Sequence, residues 1–305
     1  MSGTVSGADT IRLADAEVNC RNYLGLGYER LTRGVYDRTL DLDGLDEFQA
    51  RQARFLRQVH AIAACQPGAN FVLYGPTALQ VLGVALPNSV ADWSTCHILV
   101  PRDAFRTHRP GVTVHNTVAP FRVRAHPDGL PVLHPVDHWV QLRGGTVDEL
   151  VEVGDGLVRR QHPLFDMKSV TRRVSELAGV HGVDRVRQVL RWVVPGTDSI
   201  YETRVRMILV RAGLPVPSVN VDVPVPSSNR VYHLDMGYPD AKVGVEYDGL
   251  VHVGDRRQME VDAIRHRDLL DAGWFVVKVT AGQLSDPAQF IHPIERALVM
   301  RSHLG

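Results

Sequence analysis

The chain has 305 residues, 44% of them apolar and 22% charged, and its 34 Lys plus Arg are matched by 34 Asp plus Glu. That length exceeds the usual single-domain size, so two or three domains are expected, and the ordinary composition argues against wholesale disorder. Neutrality excludes the whole-chain basic footprint common among nucleic-acid binders, while leaving room for arginines clustered beside an acidic metal site.

Cys20, Cys65 and Cys96 are widely spaced and odd in number. They argue against a disulfide framework or a Cys-based zinc site and read as buried thiols. The N-terminus lacks a basic segment followed by an apolar core, and nothing approaches the roughly 18 apolar residues of a membrane span. The expected location is cytoplasmic, without a membrane partner.

Thr10 to Val18 is consistent with a short helix, and Tyr28 to Arg38 alternates polar and apolar residues around Gly34 as a β-hairpin does. From Gln49 to Ala64 a helix carries Phe55, Leu56, Val59 and Ile62 on one face, with Arg51, Arg54 and Arg57 expected on a solvated one. A second helix starts near Pro76 and stops at Gly83, and Cys96 to Val100 and Val112 to Asn116 read as strands. Val136 to Arg160, Val170 to Ala178 and Val183 to Val193 have helical periodicity, and Pro195-Gly-Thr-Asp-Ser199 breaks it. A final domain boundary is expected there.

Ser199-Ile-Tyr-Glu202 begins a helix with an apolar stripe of Val205, Ile208, Leu209 and Ala212, ended by Gly213 before Pro215. Ser199 and Glu202 have the spacing of a capping box. The strand-like runs Tyr232 to Tyr238 and Lys242 to Gly249 flank Pro239-Asp-Ala241. A symmetric hairpin centred between Asp240 and Ala241 places Asp235 opposite Glu246, and period two adds Asp248 to the face of Glu246. Three carboxylates brought together need protonation of one member or a cation, and a hard divalent ion is the simplest compensator. Edge strands with separately solvated carboxylates are the plainer alternative. A helix with Asp262, Arg265, His266 and Arg267 follows, then Gly273 and a strand from Trp274 to Thr280.

Glu202-Thr-Arg-Val-Arg206, Gly213-Leu-Pro215, His233-Leu-Asp235, Val245-Glu-Tyr-Asp-Gly249 with His252, Asp262-Ala-Ile-Arg265 and Gly273-Trp-Phe-Val276 occur in one order. In that order they resemble the very-short-patch-repair (Vsr-like) endonuclease branch of the PD-(D/E)xK nucleases, over residues 199 to 284. The resemblance implies a restriction-endonuclease-like domain with a central mixed sheet flanked by helices. It further implies a Mg²⁺-dependent hydrolase, with Mn²⁺ able to substitute, that cleaves DNA. Asp235 and Glu246 would ligate the metal, with Asp248 a further candidate, and Glu202 would reach the site from its helix.

The lysine of the general motif is replaced by Asp248, leaving the water-orienting role unassigned. His252, with an unperturbed pKa near neutrality, is ranked first for base or phosphate contact, and Lys278 second as the supplier of an ammonium group. Arg265 has two readings, a pair with Asp262 three residues away or a phosphate contact. Arg33 and Arg267 are further candidates for DNA contact.

Leu31-Thr-Arg-Gly-Val-Tyr36, Gly75-Pro-Thr-Ala78 and Leu82-Gly-Val-Ala-Leu-Pro87 resemble AbiEi-type antitoxin proteins, in which a winged helix precedes an α+β domain and the protein binds promoter DNA. The stretch before Arg33 is short for a complete winged helix. Four segments are therefore expected: a truncated winged-helix-like segment at 1–48, an α+β AbiEi-like domain at 49–135, a helical connecting segment at 136–198, and the nuclease-like domain at 199–305. The expected role is endonuclease action in repair, phage defence or a toxin–antitoxin setting, with DNA and a toxin or defence protein as partners. The rival is a DNA-binding regulator or antitoxin that keeps the nuclease-like fold without its chemistry.

Overall fold

The computed structural model describes residues 11–12, 28–32, 35–45, 47–65, 70–102, 110–117, 123–249 and 256–302. The expected helix at Thr10 to Val18 lies largely outside them, but Ile11–Arg12 (β1) is extended and pairs with Tyr36 and Val35. The chain is mixed α+β and divides into two compact units, Met1–Gly144 with Gly179–Val183, and Gly145–Ala178 with Asp184–Gly305. Among the described residues no helix is long and apolar enough to cross a membrane.

In the first unit the expected hairpin forms from Tyr28–Thr32 (β2) and Val35–Arg38 (β3), and β1 adds to its edge. Glu47–Ala64 (α1) buries Phe55, Val59 and Ile62. Arg57 corrects the expectation of a solvated arginine face, being only 2% exposed. Its guanidinium donates to Asp37 at 2.8 Å, to Glu29 and to the Arg38 carbonyl, so it fixes α1 to the hairpin. A buried Arg survives because it is paired and hydrogen-bonded.

Val72–Leu73 (β4), Cys96–Pro101 (β5) and Val112–Thr117 (β6) form a second sheet in the order β4-β5-β6, with β5 and β6 parallel. Gly75–Val81 (α2), with Pro76 in its first turn, packs on β5. Arg124–Ala125 (β7), Pro131–Val132 (β8) and Pro135–Val140 (α3) complete the described elements of this unit. Cys96 is buried as expected, whereas Cys65 is partly exposed.

The second unit opens with Val147–Leu157 (α4), whose start is fixed by a Thr146–Glu149 capping box, then Met167–Glu176 (α5) and Val183–Leu190 (α6). Ile200–Arg211 (α7) leads into Ser218–Val225 (β9), Arg230–Tyr238 (β10) and Val243–Asp248 (β11). Arg256–Asp271 (α8), Phe275–Thr280 (β12), a 3₁₀ turn at Ala281–Ser285 and Ala288–Ser302 (α9) complete it. The sheet order is β12-β11-β10-β9; β9, β10 and β11 run antiparallel in succession and β12 is parallel to β11.

One face of this mixed sheet packs Val205, Leu209, Phe290 and Ile294 against Met236, Val243, Val245 and Val279. The other packs Leu269 and Trp274 with Leu234, Val221 and Val223. Helices thus cover both faces.

The expected boundary near residue 199 does not divide the compact units, because α4 is joined to α7. Asp155 and Arg206, each with a side chain 1% exposed, pair at 2.7 Å, and Asp155 also accepts from Thr203 Oγ1 at 2.7 Å and Val194 N at 2.8 Å. Glu152 receives both arms of Arg204 at 2.9 and 3.0 Å. Breaking a buried pair of that kind costs about 3–5 kcal/mol, so the segment after Gly145 is part of this unit rather than a connector.

Candidate active site

The β10–β11 ladder pairs Met236 with Val245, Gly237 with Gly244 and Tyr238 with Val243, a register centred between Asp240 and Ala241. Lys242 closes the turn at φ 50°. Gly244 leaves room beside the site: a Cβ there would lie 2.6 Å from Leu234 Cδ1, so a larger residue would make the buried Leu234 side chain shift.

The ladder stops before Asp235. Its Oδ2 instead accepts the Tyr247 N–H at 2.7 Å, satisfying the β11 amide next to Glu246. Burial raises the Asp235 carboxyl above the usual carboxylate range; the nearby Glu246 and Asp198 charges push the same way, while the Tyr247 amide and Arg265 oppose them.

Glu246 is 8% exposed, and the Arg265 guanidinium from α8 grips it, donating Nη1 to Oε2 at 2.9 Å and Nη2 to Oε1. Arg265 Nη2 also donates to the His233 carbonyl at 2.7 Å, tying α8 to β10. Of the two readings of Arg265, a partner in Asp262 or a phosphate contact, neither describes its hydrogen bonds to Glu246 and His233. α8 lies over the face to which Glu246 points, so the guanidinium reaches that buried carboxylate, while the Asp262 charge acts on it from its own helix.

Asp248 is not gathered with Asp235 and Glu246. Strand alternation keeps it on the Glu246 face but about 6.6 Å further along, and its carboxylate lies 3.8 Å from Lys278 Nζ. Among the described residues no group of three His, Cys, Asp or Glu side chains stands in a metal-holding arrangement. The expected cluster is thus reduced to two neighbouring carboxylates, one of them held by an arginine. Asp235 and Glu246 carry the oxygen donors that a hard divalent ion takes, and the Glu246 oxygens are held by Arg265.

Lys278 falls in register with Glu246 across the parallel β11–β12 pairing. It therefore stands one strand over from Glu246 itself, two residues before Thr280, which faces Asp248. Glu202, in the first turn of α7, accepts from Asp198 N at 3.0 Å, and Ser199 Oγ accepts from Glu202 N at 3.1 Å. The reciprocal cap of the sequence reading is thus displaced by one residue. Burial raises the Glu202 carboxyl to about 7, and the Asp235 charge adds to that rise.

His252 and Arg33 lie outside the described residues. Arg267 is exposed on α8.

The sequence reading missed two aromatics. Tyr201 stacks on Tyr247 with centroids 4.8 Å apart and planes within 7°, and Arg204 lies over the Tyr201 ring at 5.3 Å. Tyr247 follows Glu246 in β11 and its amide donates to Asp235, while its ring lies on the other face of the strand. A tyrosine next to an acidic strand residue carries no spacing signal of its own; its place on the opposite face, against α7, is what brings Tyr201 to it.

No family model matches the chain and no solved structure matches it. Two uncharacterized proteins of Mycobacterium tuberculosis, from strains CDC 1551 / Oshkosh and H37Rv, are each 22% identical to it over 130 residues, which is 42% of this chain and 48% of the relative. The chain spans about half the length of the curated relatives it matches.

Proposed function

We propose that the second unit is a metal-dependent endodeoxyribonuclease of the Vsr-like, PD-(D/E)xK kind, with Asp235 and Glu246 as its metal-holding carboxylates. The observation that carries this reading is the junction of β10, β11 and β12: Asp235 and Glu246 close together at the end of the ladder, with Lys278 in register beside Glu246. A plain solvated acidic hairpin would leave its carboxylates outward, whereas Glu246 is buried.

Magnesium, or manganese in its place, when bound supplies Lewis acidity that lowers the pKa of a water and offsets phosphate charge. The chain's own residues do the remaining work. Asp235 stays oriented through the Tyr247 amide, Lys278 supplies the ammonium that the strand itself lacks, and Glu202 holds a proton near neutral pH. The first unit would select the target or a toxin or defence partner.

A second reading has its own support. Arg265 already neutralises Glu246, and Lys278 lies close to Asp248, as in a fold kept for DNA binding or antitoxin action alone. Supercoiled plasmid incubated with Mg²⁺ or Mn²⁺ separates the two. The nuclease predicts nicked and linear products that the Asp235→Ala variant does not form; intact plasmid with wild-type protein favours the regulator.

A further inference from the structure

Away from the carboxylates, Val147 at the start of α4, Arg187 and Gln188 on α6, Arg191 and Trp192 just beyond it, and Arg211 at the end of α7 line a cavity of about 390 Å³. From this we infer a nucleotide-binding subsite for a DNA strand, with backbone phosphate against the arginines and a base on Trp192. The inference rests on the reading of the second unit as a protein that acts on DNA.

The chemistry of the lining selects the ligand. Three guanidinium groups bring planar, permanently charged donors that match phosphate oxygens. Two of them pair at the surface: Arg187 with Asp184 at 3.0 Å, whose side chain is 85% exposed, and Arg211 with the half-buried Asp148 at 2.8 Å. Such surface pairs contribute little and exchange readily for a phosphate. Arg191 lies over the Trp192 ring at 5.1 Å, the pairing of cation and aromatic face on which nucleic-acid bases stack. Val147 is 44% exposed at the same wall, and the Gln188 amide offers both a donor and an acceptor to a base edge. An acidic peptide would use the arginines but leave the Trp, Gln and Val without a role.

The location suits a strand entering the active site. Glu202 and Arg211 lie at opposite ends of α7, nine residues apart, which is roughly 13 Å at 1.5 Å per residue. That is about four base-pair steps of duplex at 3.4 Å each. A strand held in the cavity would therefore flank the cleaved bond rather than contain it.

The experiment uses the full chain in EDTA, so that binding is read without cleavage. Fluorescence anisotropy would follow a labelled 12-nucleotide single strand across a salt series, with polyglutamate and inorganic phosphate as competitors. The expected result for Arg187→Ala combined with Arg191→Ala is a weaker complex and a salt slope flatter by about 0.7 for each lost contact. Trp192→Ala should weaken binding by roughly five- to hundredfold, and Trp192→Phe, which keeps a stacking ring, should recover much of it. Circular dichroism on each variant separates lost binding from lost folding, and the exposed Arg187→Glu reversal gives the same test while leaving the Arg191–Trp192 contact in place. Wild-type affinity and slope in the arginine variants overturn the subsite, as does polyglutamate or phosphate competing as well as unlabelled DNA. Plasmid cleavage reports separately: cleavage with unchanged binding in the variants sinks the subsite alone, and pocket-dependent binding without cleavage sinks the nuclease reading alone.

Discussion

The Asp235 carboxylate accepts the Tyr247 backbone N–H at 2.7 Å, doing for β11 what the next backbone carbonyl of β10 would do in an unbroken ladder. One side chain therefore serves both the sheet and the candidate metal site. Asp235→Ala leaves that amide without its acceptor and should lower stability by about 1–3 kcal/mol. Asp235→Asn keeps an acceptor oxygen and should lose less. Urea unfolding of the two variants in EDTA tests this; equal losses would show that the charge, not the acceptor, holds the junction. Under the proposed function neither variant nicks plasmid.

Arg265 and Glu246 should be strongly coupled. Replacing Arg265 with Met leaves a carboxylate that is 8% exposed without its cation, and the expected loss is about 2–4 kcal/mol. In a Glu246→Gln background the same replacement should cost much less, because no buried charge is stranded. A double-mutant cycle by chemical denaturation reads the difference. Additive losses would mean that Arg265 acts through the His233 carbonyl instead.

Glu202 should make the metal-free protein less stable as pH rises. Its carboxyl titrates at about 7 in the folded chain against 4.5 for the unperturbed group, so between those values the folded state binds the proton that the unfolded state has lost. Stability then falls as pH increases from 4.5 to 7, and the penalty is fully present above 7. Glu202→Gln keeps the acceptor for the Asp198 amide and removes the titration. It should be more stable than wild type at pH 8, by on the order of 1–2 kcal/mol after allowance for solvent screening, and equal to it near pH 4. A constant difference across that range would assign the effect to packing.

The centre of the hairpin was legible in the sequence because Pro239-Asp-Ala241 marks the turn and period two fixes which residues oppose. Other parts were hidden for physical reasons. Spacing shows the local neighbour of Arg265, Asp262, but not Glu246, which reaches it only through the packing of α8 on the sheet. Prolines at 215, 217, 224 and 226 mask β9, whose place at the sheet edge is what tolerates Pro224 within it. Pro293 hides α9 in the same way. The break at Pro195-Gly196 is real locally, yet the Asp155–Arg206 pair spans 51 residues and carries the compact unit across it.

The last prediction concerns metal and melting temperature. From sequence alone, crowded carboxylates imply that Glu246→Gln relieves repulsion in the metal-free protein. The Arg265 contact reverses that sign: removing the Glu246 charge weakens an ion pair, so the variant should melt below wild type in EDTA. A divalent ion must compete with that guanidinium for the same oxygens, which lowers its affinity for the wild-type chain. Ligand binding to the folded state alone adds roughly 2.7 kcal/mol at a hundredfold excess over its dissociation constant. Arg265→Met, stripped of the competitor, should therefore show the lowest melting temperature of the three in EDTA and the largest rise with Mn²⁺. Wild type should rise less, and Glu246→Gln least of all. Thermal unfolding of the three proteins in EDTA and in millimolar Mn²⁺ measures the series. If Arg265→Met gains no more than Glu246→Gln, then Glu246 is not a ligand, the guanidinium is simply its permanent counter-ion, and the DNA-binding regulator becomes the better account of this site.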